Sequence, residues 1–156
     1  MTEQKATFAA GCFWGIEYKF SQLTGVLSAT SGYTGGHKED PGYKEVCADT
    51  TGHAEAVLVT FDSAIISYEQ LLQAFWGMHD PTQLNKQGPD VGSQYRSAIF
   101  YHNEEQYKQA LQSLESAQAN FSQPIVTEIK SAEKFWEAEE YHQKYIEKQG
   151  GGSCAI

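Results

Sequence analysis

The segment KATFAAGCFWGIEYKFSQLTG, residues 5–25, decides the architecture of this chain of 156 residues. Residues 5–11 are mostly small and apolar and predict a short strand, and from Cys12 onward the apolar residues follow the spacing of a helix. The apolar face of that helix consists of Phe13, Ile16, Phe20 and Leu23. A strand that passes directly into a helix predicts a domain in which the two kinds of element are interleaved.

The rest of the chain repeats this alternation. Further strands are predicted at 26–33, 53–61, 95–101 and 124–130, and further helices at 67–79, 103–121 and 137–148. The turn-rich segments 38–51 and 80–94 are predicted to be loops, and a long loop in a compact domain is often functional. Because no repeat or linker interrupts the pattern, we expect one domain over residues 1–156, of the α/β or α+β class, with helices packed on a mixed sheet. The Gly-rich residues 149–156 are expected to form a flexible tail.

Composition and charge exclude several classes of protein. The chain has 11 basic and 20 acidic residues and a formal net charge of −9, which argues against a nucleic-acid partner. No apolar run reaches the roughly 20 residues of a membrane span, so no membrane partner is expected. The N-terminus shows no signal-peptide pattern, and we therefore expect a cytoplasmic protein. Nothing indicates a large exposed apolar surface, which favours a monomer.

The chain has three cysteines, and this low and uneven number argues against a disulfide framework. This count indicates at least one reduced thiol in a reducing compartment. There is no Cys-x-x-Cys pair on which to build a structural zinc site. We therefore expect no structural zinc site, and the thiol chemistry considered below needs neither a metal nor an organic cofactor.

Cys12 is the first candidate for a chemical role. A thiol where a strand passes into a helix meets the positive end of the helix dipole, which favours the nucleophilic thiolate. Trp14 lies off the apolar face of the helix, so its ring is offered beside the thiol and suits a small apolar group such as a methyl. The alternative is that Cys12 is a small hydrophobic residue packed among aromatic rings.

Cys154 is the second candidate. It lies in the Gly-rich tail, where packing gives a cysteine no role. A flexible thiol is able to reach an oxidised Cys12 and resolve it as a disulfide. The alternative is an incidental exposed thiol.

Glu55 is the third candidate. In the predicted strand 53–61 it shares its side with Val57, Val59 and Phe61, so it should project from the apolar face of the sheet. Burial there would raise the pKa of the carboxyl group and favour a neutral acid, able to give a proton to a substrate oxygen. The alternative is a strand end that opens to water and an ordinary carboxylate.

Three further residues lie in or beside the predicted loops. Tyr43 and Tyr95 occur where a phenol is more readily presented than buried. Asp90 lies in the loop 80–94, five residues before Tyr95, and is expected to hold that loop by capping backbone N–H groups.

Taken together, these segments resemble peptide methionine sulfoxide reductase of the A type. The motifs that carry the resemblance are GCFWG (11–15), GYTGG (32–36), YKEVC (43–47), GHAEAV (52–57), DPT (80–82) and GSQYRS (92–97). They occur in the family's order and spacing over about residues 6–148. The resemblance implies a two-layer domain with a ferredoxin-like core and reduction of the S epimer of methionine sulfoxide, free or in proteins.

The resemblance also implies a role for each candidate. The matching residues are Cys12 as nucleophile, Glu55 as the acid on the sulfoxide oxygen, Tyr43 and Tyr95 as phenols at that oxygen, Phe13 and Trp14 as the wall for the substrate methyl, and Asp90 as a residue of the substrate region. Cys47 matches an internal cysteine and is expected to be a buried structural thiol. His53 is given no proton-transfer role and His79 is expected to be structural.

The tail has a single cysteine, so the resemblance implies a Cys12–Cys154 disulfide that a thioredoxin-like partner reduces directly. Three other hypotheses stay open from the residues. The first is a hydrolase or acyltransferase in which Cys12 pairs with one of five histidines. The second is a non-enzymatic thiol sensor of peroxide, and the third is a metal-binding module, which lacks a compact ligand spacing.

Overall fold

The structure is a computed structural model that describes residues 3–143. Its strands are β1 (Glu3–Ala10), β2 (Val26–Thr34), β3 (Ala54–Asp62), β4 (Lys86–Gln87), β5 (Asp90–Val91), β6 (Ser97–Tyr101), β7 (Glu128–Ser131) and β8 (Trp136–Glu137). Its α-helices are α1 (Phe13–Ser21), α2 (Tyr43–Cys47), α3 (Tyr68–Met78) and α4 (Glu104–Gln118). Two 3₁₀ turns cover Ser93–Tyr95 and Glu140–His142.

Six strands form one mixed sheet in the order β7-β6-β1-β3-β2-β8. Only β6 and β7 pair in parallel within that sheet, and the other neighbours are antiparallel. Helix α1 joins β1 to β2 across β3, and α3 joins β3 to β6 across β1. These two split βαβ units make a ferredoxin-like core, so the predicted fold class is confirmed.

Alternation along the strands explains the two layers. On β1, the side chain of Phe8 faces the helices, where its ring centroid lies 4.9 Å from that of Phe20 and 5.2 Å from that of Phe75. The next residue, Ala9, belongs to a smaller cluster on the opposite face with Phe100. Most of the large buried aromatic side chains therefore lie between the sheet and α1, α3 and α4, with Phe100 on the opposite face. No helix within residues 3–143 has the length and apolar character that spanning a membrane requires.

The predicted helix at 137–148 is wrong over the part that the structure describes. Residues 136–143, here called the C-terminal segment, contain β8 and a 3₁₀ turn. Gly32 makes this possible, because a Cβ atom there would lie 2.5 Å from the carbonyl oxygen of Trp136. Gln143 then donates to the carbonyl oxygen of Ser31 at 2.9 Å and accepts from its N–H at 3.0 Å. Tertiary contacts with β2 override a composition that favours helix.

The two predicted loops also contain short elements. Helix α2 lies within 38–51, the hairpin β4–β5 lies within 80–94, and a 3₁₀ turn covers Ser93–Tyr95 at the end of that loop. The last predicted strand begins at Glu128 rather than at residue 124. Elements of two to five residues are too short to leave a periodic pattern.

Candidate active site

Cys12 lies where the central strand β1 passes into α1. It occupies the N-cap position of the helix and is partly buried. This position places the thiol beside the positive end of α1, which favours the thiolate. Gly11 has φ +97°, and a Cβ atom there would lie 2.9 Å from Cγ of Gln87, so glycine lets the loop 80–94 approach the junction.

Glu55 reaches the same junction from β3. Its side chain is 1% exposed and lies on the helix-covered face with Val57 and Val59, as the strand alternation predicts. The backbone N–H of Phe13 donates to Oε1 of Glu55 at 3.2 Å. A buried carboxyl group therefore holds the first residue of α1, directly after Cys12.

Two phenols interact electrostatically with this carboxyl group. Tyr43 is the first residue of α2, and Tyr95 ends the 3₁₀ turn after the hairpin. Burial raises the pKa of both phenols above the usual value, and electrostatic interaction with Glu55 adds to the rise. Cys12 also acts on Tyr95 electrostatically. Both phenols therefore remain protonated donors at neutral pH.

Arg96 fixes the turn that carries Tyr95. Its guanidinium donates to the carbonyl oxygen of Ser93 at 2.9 Å and to that of Gly52 at 3.0 Å. The third bond goes to the carboxylate of Glu128 at 2.9 Å. One buried cation thus ties the turn to the loop before β3 and to β7.

Asp90 does not have the capping role that the sequence predicts. Within residues 3–143 no backbone N–H donates to its carboxylate, and desolvation raises its pKa. The loop is held instead by Asp49, which accepts from the N–H of Ser93 at 3.2 Å, and by Asp80, which accepts from the N–H of Thr82 at 3.0 Å. Asp90 contributes negative charge near Tyr95.

The prediction of a buried structural thiol at Cys47 is wrong. Val46 takes the core position of the short helix α2, and Cys47, one turn after Tyr43, is exposed. Desolvation nevertheless raises the pKa of its thiol, while contacts with Tyr43 and Tyr95 oppose that rise. A raised pKa makes this thiol a poor nucleophile at neutral pH.

Aromatic rings form one wall beside Cys12. The ring of Tyr43 lies 6.4 Å from that of Phe13 and 6.4 Å from that of Trp14, at interplanar angles of 19° and 24°. Phe13 is 1% exposed, and Trp14 is partly buried. The rings that the sequence predicts for an apolar substrate group therefore lie together next to the thiol.

Glu139 and His142, which the sequence reading did not single out, complete this wall. Glu139 accepts from the hydroxyl of Tyr33 at 2.9 Å and from the N–H of Tyr43 at 3.0 Å. The indole N–H of Trp14 donates to Nδ1 of His142 at 2.9 Å. Both residues lie in the segment 137–148 that was predicted to be a helix, and that prediction gave neither of them a role in the site. The sequence feature that indicates them is a carboxylate and an imidazole three residues apart in a segment rich in aromatic residues.

The other two histidines considered from the sequence are bound to backbone. His53 accepts the N–H of Gly36 at 3.0 Å and lies 2.7 Å from the carbonyl oxygen of Lys38. His79 lies 2.9 Å from the carbonyl oxygen of Phe75, and burial lowers its pKa to about 4. Cys154, the predicted resolving thiol, lies outside the described residues.

This geometry suits attack on an electrophile whose oxygen needs a proton. The thiol has a buried carboxyl group beside it, and two protonated phenols interact electrostatically with that group. Such donors stabilise negative charge that develops on an oxygen during reaction.

Comparisons with known proteins agree with this arrangement. The family described as peptide methionine sulfoxide reductase matches residues 4–156. Peptide methionine sulfoxide reductase MsrA of Geobacter sulfurreducens is 59% identical over 153 residues, 97% of this chain and 94% of that protein. Reduced Mxr1 of Saccharomyces cerevisiae superposes with a TM-score of 0.93 at 34% identity, over 98% of this chain and 89% of that one.

A second structure of Mxr1, in complex with Trx2, has a TM-score of 0.67 at 23% identity, over 98% of this chain and 86% of that one, and shares the fold. The protein described here belongs to the peptide methionine sulfoxide reductase family.

Proposed function

We propose that this enzyme reduces methionine-S-sulfoxide, free or in proteins, to methionine, with Cys12 as the nucleophile. Family membership supports the reaction. The observation that carries the assignment of residues is the 3.2 Å bond from the N–H of Phe13 to the buried Glu55. It holds a proton-donating group next to the nucleophile.

The substrate is proposed to bind with its S-methyl group against Phe13 and Trp14. This places the sulfoxide oxygen toward Glu55 and the hydroxyls of Tyr43 and Tyr95. Glu55 acts as the neutral acid, because desolvation disfavours its charge. The three donors bind more strongly as negative charge grows on the oxygen, and this difference accelerates the reaction. Asp90 is proposed to lie beside the substrate's polar atoms.

In the chemical step the Cys12 thiolate attacks the sulfoxide sulfur and the oxygen takes up a proton from Glu55. The attack joins the two sulfurs; the protonated oxygen is then transferred to the sulfur of Cys12, while the bond between the two sulfurs and the S–O bond of the substrate break. Methionine leaves, and Cys12 is left as a sulfenic acid. The sulfoxide gains two electrons and the cysteine sulfur loses two. The proton count balances, because a thiol and a sulfoxide become a sulfenic acid and a thioether.

Cys154 is proposed to attack the sulfenic acid, so that water leaves and a Cys12–Cys154 disulfide forms. A thioredoxin-like dithiol then reduces this disulfide and is itself oxidised to a disulfide. The existence of a complex between yeast Mxr1 and Trx2 supports such a partner. We propose a monomer, because a net charge of −9 opposes association between copies.

The alternatives have less support. A hydrolase needs a histidine beside Cys12, whereas His53 and His79 are bound to backbone and His142 accepts the indole N–H of Trp14. A metal-binding module needs a ligand set, and within residues 3–143 no three His, Cys, Asp or Glu side chains are grouped for one. A thiol sensor would respond to peroxide, which has no apolar group for the aromatic wall to bind.

A single-turnover experiment tests the proposal. Reduced protein is mixed with methionine-S-sulfoxide without reductant, and methionine and thiols are counted. We expect about one methionine per chain and the loss of two thiols, mapped by peptide mass to Cys12 and Cys154. The Cys154→Ser variant should release the same methionine but stall with thioredoxin.

The other outcomes are equally clear. One methionine with a single thiol lost keeps the reaction and removes Cys154 from it. Undiminished thioredoxin-supported turnover of Cys154→Ser has the same meaning. Folded protein that releases no methionine refutes the proposed reaction and favours the sensor.

A further inference from the structure

His142 is inserted between the rings that line the site. Its side chain is 1% exposed, and its ring centroid lies 4.2 Å from that of Tyr43, 5.4 Å from that of Phe13 and 5.5 Å from that of Trp14. The imidazole therefore contacts each of the three rings that the proposed function places around the substrate. Its volume sets how closely those rings approach one another.

The hydrogen bond to Trp14 defines the state of the imidazole. An indole N–H is a donor only, so Nδ1 of His142, 2.9 Å from it, must be an unprotonated acceptor. The ring is therefore neutral, with its proton on Nε2. Burial lowers the pKa of His142 and the carboxylate of Glu139 opposes that effect, so the neutral form prevails at neutral pH.

The backbone that presents His142 is firmly attached. The neighbouring Gln143 exchanges two hydrogen bonds with the backbone of Ser31 and donates a third to the carbonyl oxygen of Ala138 at 3.0 Å. Glu139 binds the N–H of Tyr43. The imidazole is thus held by β2 and α2, independently of the helix that carries Trp14.

We propose that His142 is a positioning residue that fixes the indole of Trp14 and thereby sets the size of the S-alkyl group that the pocket accepts. This inference rests on the proposed function. The torsion that turns an indole about its Cβ–Cγ bond has broad minima, and a fixed acceptor at Nε1 selects one of them. A ring held in one plane leaves room for a methyl group, whereas a ring that turns admits a larger one.

Three variants separate this role from a merely structural one. His142→Phe keeps an aromatic ring but removes the acceptor, and His142→Gln supplies a new acceptor in its amide oxygen. Trp14→Phe removes the donor. Far-UV circular dichroism confirms that each variant folds.

The first readout needs no substrate. The chain has three tryptophans, and the indole ¹H–¹⁵N signal of Trp14 is the one missing from Trp14→Phe. We expect this signal to move upfield in His142→Phe, since the hydrogen bond is lost, and to stay near its wild-type position in His142→Gln. An unchanged signal in His142→Phe overturns the inference.

The second readout is the preference for methionine-S-sulfoxide over ethionine-S-sulfoxide, which differ by one methylene. One methylene in a rigid apolar pocket is typically discriminated by roughly tenfold or more. In His142→Phe we expect KM for the methyl substrate to rise about tenfold, kcat to change about twofold or less, and the methyl preference to fall by roughly fivefold. His142→Gln should restore most of the preference.

A cycle of variants gives the decisive comparison. In the Trp14→Phe background, His142→Phe should leave the methyl preference as it is, because the donor is already gone. Unaltered preference and KM in His142→Phe, with the indole signal shifted, overturns the positioning role. Wild-type protein that releases no methionine refutes the proposed function instead, and the indole signal then decides on its own whether His142 holds Trp14.

Discussion

Two regions face each other across the aromatic rings, and they are built in different ways. The N-terminal junction, residues 11–14, lies between a central strand and a helix of nine residues. The C-terminal segment, residues 136–143, has two residues of edge strand and one 3₁₀ turn. In each region, nevertheless, a glutamate side-chain oxygen accepts a hydrogen bond from the N–H of a helix's first residue: Glu55 accepts from Phe13 and Glu139 from Tyr43.

The comparison shows that one part of the site is formed by the core of the fold, whereas the other is attached to the fold mainly by side-chain hydrogen bonds. The junction is held by strand pairing on both sides of β1 and by the core. The C-terminal segment is held mainly by side chains, because Glu139, His142 and Gln143 each bond to a distant part of the chain. We therefore expect substitutions at the junction to lower the rate of the chemical step, and substitutions in the C-terminal segment to change the shape of the pocket.

The largest effect should come from Cys12→Ser. Removing the nucleophile should lower the rate of methionine formation by at least on the order of 10⁴-fold, with the fold intact. Cys47→Ser is the matched control, and it should stay within about twofold of wild type because the thiol of Cys47 has a raised pKa. Rapid-quench assays measure both, and substantial activity in Cys12→Ser would contradict the assignment.

Next in size is the loss from Glu55→Ala. Loss of a donor to the reacting oxygen typically lowers kcat by about 10²–10³-fold, and we expect kcat/KM to fall in that range. Glu55→Gln keeps an amide donor and should retain more activity. Steady-state kinetics of both variants check this, and equal losses would count against Glu55 as a neutral acid.

Glu139→Ala tests the docked side. It leaves the hydroxyl of Tyr33 and the N–H of Tyr43 without their acceptor, which should lower the free energy of unfolding by roughly 1–3 kcal/mol. KM should rise more than kcat falls, because Tyr43 and the rings beside it lose their anchor. Glu137→Ala, an exposed residue of the same segment, is the control for charge. If urea unfolding gives the same free energy of unfolding for the two variants, Glu139 does not anchor the segment.

The smallest effect should be a weakening of the C-terminal segment in mild acid. The pKa of His142 is lowered from 6.5 by burial, so its neutral form stabilises docking fully above pH 6.5, and that contribution is lost as pH falls below it. Glu139, whose lowered pKa starts from 4.5, adds a loss only below that pH. Its desolvation is outweighed by the hydrogen bonds it accepts.

Hydrogen exchange at pH 7 and pH 5, corrected for intrinsic rates, measures this loss. Protection of residues 136–143 should fall by less than about tenfold, while that of α1 stays constant. His142→Gln should remove most of the pH dependence. An equal loss of protection in both regions would mean that the two sides of the site open together.

Much of the fold and half of the site follow from local patterns. The orientation of Glu55 is given by its alternation with Val57 and Val59, and the start of α1 by the change of period at Cys12. Helix α2 was missed because five residues carry no periodicity, although the N–H of Gly42 donates to Glu45 at 3.0 Å as in a capped helix start.

The C-terminal segment was mispredicted for a different reason. Its residues favour helix locally, and only contacts more than 90 residues away along the chain give it another shape: Glu139 with Tyr43 and His142 with Trp14. The burial of Cys47 was likewise wrong because neighbouring Val46 competes for the same core position. Such choices are made by the assembled fold.

The bond between Trp14 and His142 joins residues 128 positions apart. A ribosome that adds about 5–20 residues per second therefore makes Trp14 many seconds before its partner. Until residue 143 has left the exit tunnel, the nascent chain has its nucleophile but lacks one wall of the pocket. During synthesis, the complete substrate pocket therefore forms well after the nucleophile has been made.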